Sequence, residues 1–176
     1  TPDSTFAAFE TQSTDGFGPS RAARRTSAIG QVTYDLGSST TARVMASTYS
    51  ARFDSAGVLR LSDVDGGLVD RFATYDPRQG GDSSRSQVVL ALGSTDDVEA
   101  SSWTFAPYFI ARHLRLRSNF TGFLENPVEG DSTQQINEAI TVGTTGSYRR
   151  HLHLLSSDDA IEAGISIRND WIEQSQ

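Results

Sequence analysis

Polar and apolar residues alternate along most of this chain, and helical periodicity is nearly absent. In residues 27–36, Ala28, Gly30, Val32, Tyr34 and Leu36 share one phase. Ser27, Gln31, Thr33 and Asp35 share the other, with Ile29 out of step. Further on, Ile140, Val142, Tyr148, Leu152 and Leu154 alternate with Thr141, Thr145, Ser147, Arg149, His151 and His153. Near the C-terminal end, Ile161, Ala163, Ile165, Ile167 and Trp171 oppose Glu162, Ser166, Arg168 and Asp170. Successive side chains of a strand point to opposite faces, so this pattern predicts strands with one apolar and one polar face. Seven strands are expected, near 3–12, 23–36, 39–53, 83–93, 99–117, 133–153 and 159–173.

Several of these segments are longer than the usual strand of about 5–6 residues. Long strands suit a tilted crossing of a lipid bilayer, which takes about 9–11 residues. The connections carry a second signal, because long and short ones alternate. The stretch "STDGFGPSRA" and residues 54–82 and 118–132 are long. Gly37–Ser39, 93–97 and 155–159 are short. Membrane barrels have this asymmetry, with short turns on one side and long loops on the other. The fold expected is therefore an all-β antiparallel meander of about seven long strands, forming part of a large transmembrane barrel.

On that reading Val32, Tyr34, Val44, Val88, Leu90, Leu92, Ile140, Val142, Ile161, Ile165 and Ile167 face lipid on the convex side. Gln31, Thr33, Arg43, Gln87, Thr141, Arg149, Glu162 and Arg168 face the concave side. In 99–117 the phase changes: Trp103, Phe105 and Phe109 share one phase, Leu114 and Leu116 the other. A bulge or a crossing of the barrel rim is expected near 110–113. The run "VDGGLVDRF" reads as one helical turn, with Leu68, Val69 and Phe72 packing on the rim.

Composition narrows the function classes. The 176 residues fit one domain, and no stretch has the ~18 uninterrupted apolar residues of a membrane helix. There is no cysteine, which removes disulfides and thiolate metal sites. All 15 basic residues are arginine. A net charge of −7 argues against nucleic acid as a partner. The chain starts at Thr1 with no leader, and "NDWIEQSQ" carries no turn signal. Residues 1–176 are thus expected to be a segment of a longer protein, truncated at both ends.

Three separated stretches carry a resemblance. "LRLRSNFTGFLENPVEGDSTQQ" (114–135) is similar to a mid-barrel segment of TonB-dependent outer-membrane receptors. "GLVDRFATYDPRQGGDSSR" (67–85) resembles the extracellular loop two strands earlier in the same branch, and "AGISIRNDWIE" (163–173) a later strand. Their order and spacing agree from about Arg24 onward. The resemblance implies a 22-stranded barrel closed by a plug domain. It implies energised import of a bulky, scarce ligand such as an iron–siderophore complex, in the bacterial outer membrane. The partners implied are outer-membrane lipid, TonB acting through the plug, and a small-molecule ligand. The sequence departs from the family pattern in having no plug and no TonB box. A passive porin-type barrel and a soluble all-β carbohydrate-binding module are the alternatives.

Candidate residues are few. In the lumen, Arg25, Arg43, Arg149 and Arg168 either attract an anionic ligand or pair with polar neighbours; a polar lumen requires the second in any case. Arg60, Arg71 and Asp76 are candidates in the outer loops. Asp63, Asp65, Asp70, Asp76 and Asp82 supply oxygen atoms suited to calcium, but their spacing matches no calcium loop, which favours solvated charge. His151 and His153 have metal-compatible spacing without a third ligand. Asn119-Phe120-Thr121 fits the glycosylation pattern. No nucleophile–base pair, phosphate loop or paired carboxylates stands out, so neither enzymatic activity nor a cofactor is expected.

Overall fold

The structure, a computed structural model, describes residues 5–37, 39–96, 101–152 and 159–176. Seven antiparallel strands form a single sheet in the order β1-β2-β3-β4-β5-β6-β7, each strand paired with the next in sequence. They are β1 (Phe6–Thr14), β2 (Ala23–Gly37), β3 (Thr40–Asp54), β4 (Gly80–Asp96), β5 (Ser101–Ser118), β6 (Thr133–His151) and β7 (Ala160–Ser175). The one helix among the described residues is α1 (Leu61–Asp65), a single turn. The expected all-β meander is the fold.

Directly paired residues share a face, so the register fixes both faces of the sheet. Val32 pairs with Val44, Val44 with Leu90, Phe109 with Val142, Thr144 with Ile167 and Gly146 with Ile165. These belong to one apolar face, which also holds Tyr34, Val88, Leu92, Ile140 and Ile161. Thr33 pairs with Arg43, Ser47 with Gln87, Thr141 with Asp170 and Arg149 with Glu162 on the other face. Ile29 follows the backbone phase and lies among the polar residues.

The sheet is one layer thick. Among the described residues only Ala42 and Ala139 are buried apolar side chains. Val44, Phe105, Phe109, Ile140, Val142, Ile165, Ile167 and Trp171 are all exposed. The hydrophobic effect that normally closes a core on such side chains has no second layer to act through.

One expectation that left two outcomes open is resolved, and two others are corrected. No bulge interrupts β5, whose pairing with β6 runs without a register shift from Ser101↔Arg150 to Ser118↔Thr133. The phase change therefore occurs within a regular strand: above Ala111 the formerly apolar face carries His113, Arg115 and Arg117, while Leu114 and Leu116 keep to the other face. Second, β4 begins at Gly80, so Asp82 belongs to a strand and not to the loop. Third, the helical turn is Leu61–Asp65, not 64–72. Leu68 is 78% exposed. Phe72 does pack, edge-on against Phe17 at 6.4 Å and beneath the Arg21 guanidinium.

Pro107 lies in a central strand and has no N–H to donate. The pairs expected at Leu90 and Ala91 drop out of the β4–β5 ladder there, with the register unchanged on either side. The connections alternate as expected: 15–22, 55–79 and 119–132 at one end, 38–39, 97–100 and 152–159 at the other. Ser38 and residues 97–100 and 153–158, with His153 and Leu154 and most of the short connection expected at 155–159, lie outside the described residues.

Candidate functional site

The long β3–β4 loop (55–79) and β5–β6 loop (119–132) meet over the sheet end in a buried polar cluster. Asp76, Gln79 and Asn119 are 1%, 4% and 2% exposed. A carboxylate so buried must be fully bonded to remain charged. The Arg78 side chain donates two bonds to Asp76, Nε to Oδ1 at 2.7 Å and an Nη to Oδ2 at 2.9 Å, and the Arg78 backbone N–H donates a third. Asn119 Nδ2 donates to the same carboxylate at 3.4 Å. The Arg78 side chain lowers the Asp76 pKa to about 2, against the opposing effect of burial.

The cluster ties the two loops together. Asn119 N–H donates to the Gln79 side-chain oxygen at 2.9 Å, and Arg78 also donates to the Glu129 carbonyl at 2.6 Å. Asn119 and Gly122 exchange two bonds, which close a turn around Gly122 in its left-handed conformation. Within the β5–β6 loop the Asp131 carboxylate accepts backbone N–H bonds from Leu124, Glu125 and Asn126, and the Thr121 hydroxyl. Those bonds, that from Asn126 foremost, hold its pKa below the ordinary carboxylate value. The turn residues legible at 126–131 thus have one organiser, Asp131.

Of the candidate residues, the structure builds only Asp76 into a cluster. Arg60 lies ahead of α1, with its backbone N–H bonded to Tyr75 Oη at 3.3 Å. Arg71 is exposed in the same loop. On the polar face Arg43, Arg149 and Arg168 lie on three different strands and do not converge. Arg168 pairs with Asp170 in its own strand at 2.7 Å, and Asp170 accepts a bond from buried Thr141. Arg25 pairs with Glu10 at 2.6 Å, an exposed contact of little energetic weight. For these two, pairing with neighbours is the observed outcome. Arg43 and Arg149 make no ion pair among the described residues.

The loop aspartates do not assemble into a calcium site. Asp63 accepts from Tyr75, Asp70 from the Phe72 N–H, and Asp82 meets His113 at 2.9 Å and Arg115 at 2.5 Å. Among the described residues no group of three or more carboxylates and imidazoles is placed to hold a metal ion. His151 stands at the end of β6, and its notional partner His153 is not described. Asn119, the glycosylation-pattern residue, turns its amide inward to Gly122 and Asp76.

Residues that sequence reading passed over stand out here. Arg78 and Gln79 carried no signal and Asn119 only the glycosylation pattern, since the contacts that bring them together span up to 43 positions. Arg24, Arg52, Arg115 and Arg117 did carry one: each shares the strand phase of the apolar face. Among the described residues no helix is long and apolar enough to cross a membrane, which does not bear on strands. No family model, curated protein or solved structure matches this chain.

Proposed function

We propose that this chain forms part of the wall of an outer-membrane β-barrel of the TonB-dependent receptor type, whose whole assembly imports a bulky, scarce ligand such as an iron–siderophore complex. The observation that supports the membrane part is the uncovered apolar face. On β6 this band runs from Ile140, beside Trp171, to Tyr148, beside Trp103. Eight residues at about 3.3 Å each give roughly 26 Å along the strand, somewhat less in height once the strand tilts. That approaches the ~25 Å apolar band of a barrel wall, and aromatic rings stand at both limits. Polar rows bound the band above, and one end of the sheet carries every long loop.

A soluble module of this size would bury one face of each strand in a core. Here both faces are single-layered, and the outermost strands β1 and β7 leave open edges that further strands would complete. The receptor part of the reading rests on the resemblance of 67–85, 114–135 and 163–173. Within the lumen, the unpaired Arg43 and Arg149 would contribute positive charge toward an anionic ligand.

The test is uptake. The full gene encoding this chain, expressed in an outer membrane lacking other siderophore receptors, should support iron–siderophore uptake only when the inner membrane is energised. Uptake that survives de-energising would make the barrel a passive porin. A monodisperse monomer of residues 1–176 in detergent-free buffer would overturn the membrane reading itself.

A further inference from the structure

The rim above the apolar band carries charge that the chain leaves unbalanced. Arg24 and Arg52 are directly opposed across β2 and β3, on the apolar face. Like charges directly opposite destabilise a sheet. Neither guanidinium makes a hydrogen bond or ion pair among the described residues. The same row continues through Asp82 to Arg115, which pair at 2.5 Å. One step higher, Asp54 and Arg117 flank Gly80, and Arg117 donates only to the Ser132 hydroxyl.

Four guanidiniums thus face two carboxylates, Asp54 and Asp82, in a chain whose overall charge is −7. One row below, His113 of β5 lies between Asp82 of β4 and Glu138 of β6. On β2 and β3 these rows hold two guanidiniums, Arg24 and Arg52, against one carboxylate, Asp54. Two adjoining clefts, of about 270 and 320 Å³, share Arg52 and Asp54 as lining.

We infer that this rim is a binding site for the phosphate of a lipid headgroup in the leaflet on the long-loop side. The inference rests on the barrel-wall reading, and three features select this occupant. A phosphate between Arg24 and Arg52 offsets the repulsion that the sheet leaves in place. Guanidinium matches phosphate in bidentate geometry. The site shares the face of the apolar band and lies four residues above Ala28, about 13 Å along a tilted strand, which long arginine side chains bring within reach of the headgroup layer. A soluble anion of the transport path would be met on the opposite face.

The experiment reconstitutes the full-length product of the gene encoding this chain in phosphatidylcholine vesicles containing a minor fraction of phosphatidic acid, and measures the phosphatidic acid retained per molecule after detergent exchange. Retention should be specific over diacylglycerol and should resist millimolar inorganic phosphate. At about fivefold for each guanidinium near a charged surface, Arg24→Gln with Arg52→Gln should weaken it roughly 25-fold. Arg85→Gln, the same charge change on the other face, should leave it intact. Equal retention by the double variant and the native chain, or displacement by inorganic phosphate, would overturn the headgroup site while leaving the wall reading standing. Failure of the native chain to enter vesicles at all would overturn both.

Discussion

Val44 and Met45 are neighbours in β3 with opposite surroundings, and one arginine placed at each separates a barrel wall from any other arrangement of this sheet. Val44 pairs with Val32 and Leu90 in the middle row of the apolar band, two rows from the Ile140 limit and two from the Tyr148 limit. It is 37% exposed, with nothing in the described chain above it. Val44→Arg would therefore place a guanidinium close to the bilayer midplane, about 13 Å along the strand from either limit of the band. An arginine on the lipid face at that depth costs about 2–4 kcal/mol. That corresponds to roughly 30- to 800-fold in the folding equilibrium. Met45 pairs with Gln31 and Val89 on the polar face, where an added charge can meet water and polar neighbours. Met45→Arg should cost less than about 1 kcal/mol. The assay is reversible denaturant unfolding of the full-length product of the gene encoding this chain in phosphatidylcholine vesicles, with folded fraction read from protease protection. Equal destabilisation by the two variants, or a Val44→Arg cost under about 0.5 kcal/mol, would refute the assignment of this face to lipid.

Three further outcomes follow from particular contacts. Because the Asp76 pKa is lowered to about 2, its stabilisation of the paired loops is fully present above pH ~4 and is lost as pH falls toward 2. About 2 kcal/mol of loop stability should disappear in that window, read as proteolytic cleavage within 55–79, and Asp76→Asn should make the window flat. Gly143→Ala should destabilise the sheet by about 1–3 kcal/mol, since a Cβ there would meet the Tyr108 ring and approach the Ile167 carbonyl at 2.7 Å; unchanged thermal unfolding would contradict that packing. Residues 1–176 without detergent should associate through the β7 edge and the apolar face, so light scattering that shows a lasting monomer would count against both features.

The strands and their faces were legible because they rest on local facts. A period of two in apolar residues specifies which side chains share a face, and one buried or lipid-exposed face forbids slippage by one residue. Hence the ends of β2, β3 and β6 fall within one or two residues of their sequence reading. β4 was read too short because Gly80, Gly81 and Asp82 have loop composition; pairing with Asp54, Phe53 and Arg52 carries them into the sheet. The β5 phase change admitted two readings from sequence, and only a register that does not shift against either neighbour excludes the bulge.

The candidate site divides the same way. Asp131 was visible as part of a turn, because its partners lie within ten residues. Asp76 was visible only as one of many loop acids. Its burial by Arg78 and Asn119 depends on two loops from different hairpins meeting, which no local pattern encodes. The opposed Arg24 and Arg52 needed both the phase, which sequence supplies, and the register, which it does not. The sequence by itself determined the seven strands, their two faces and the alternation of the connections, since backbone geometry alone converts a period of two into sidedness. The tertiary structure decided which charges meet, because ion pairs and buried bonds depend on distances between residues that only register and loop contact bring together.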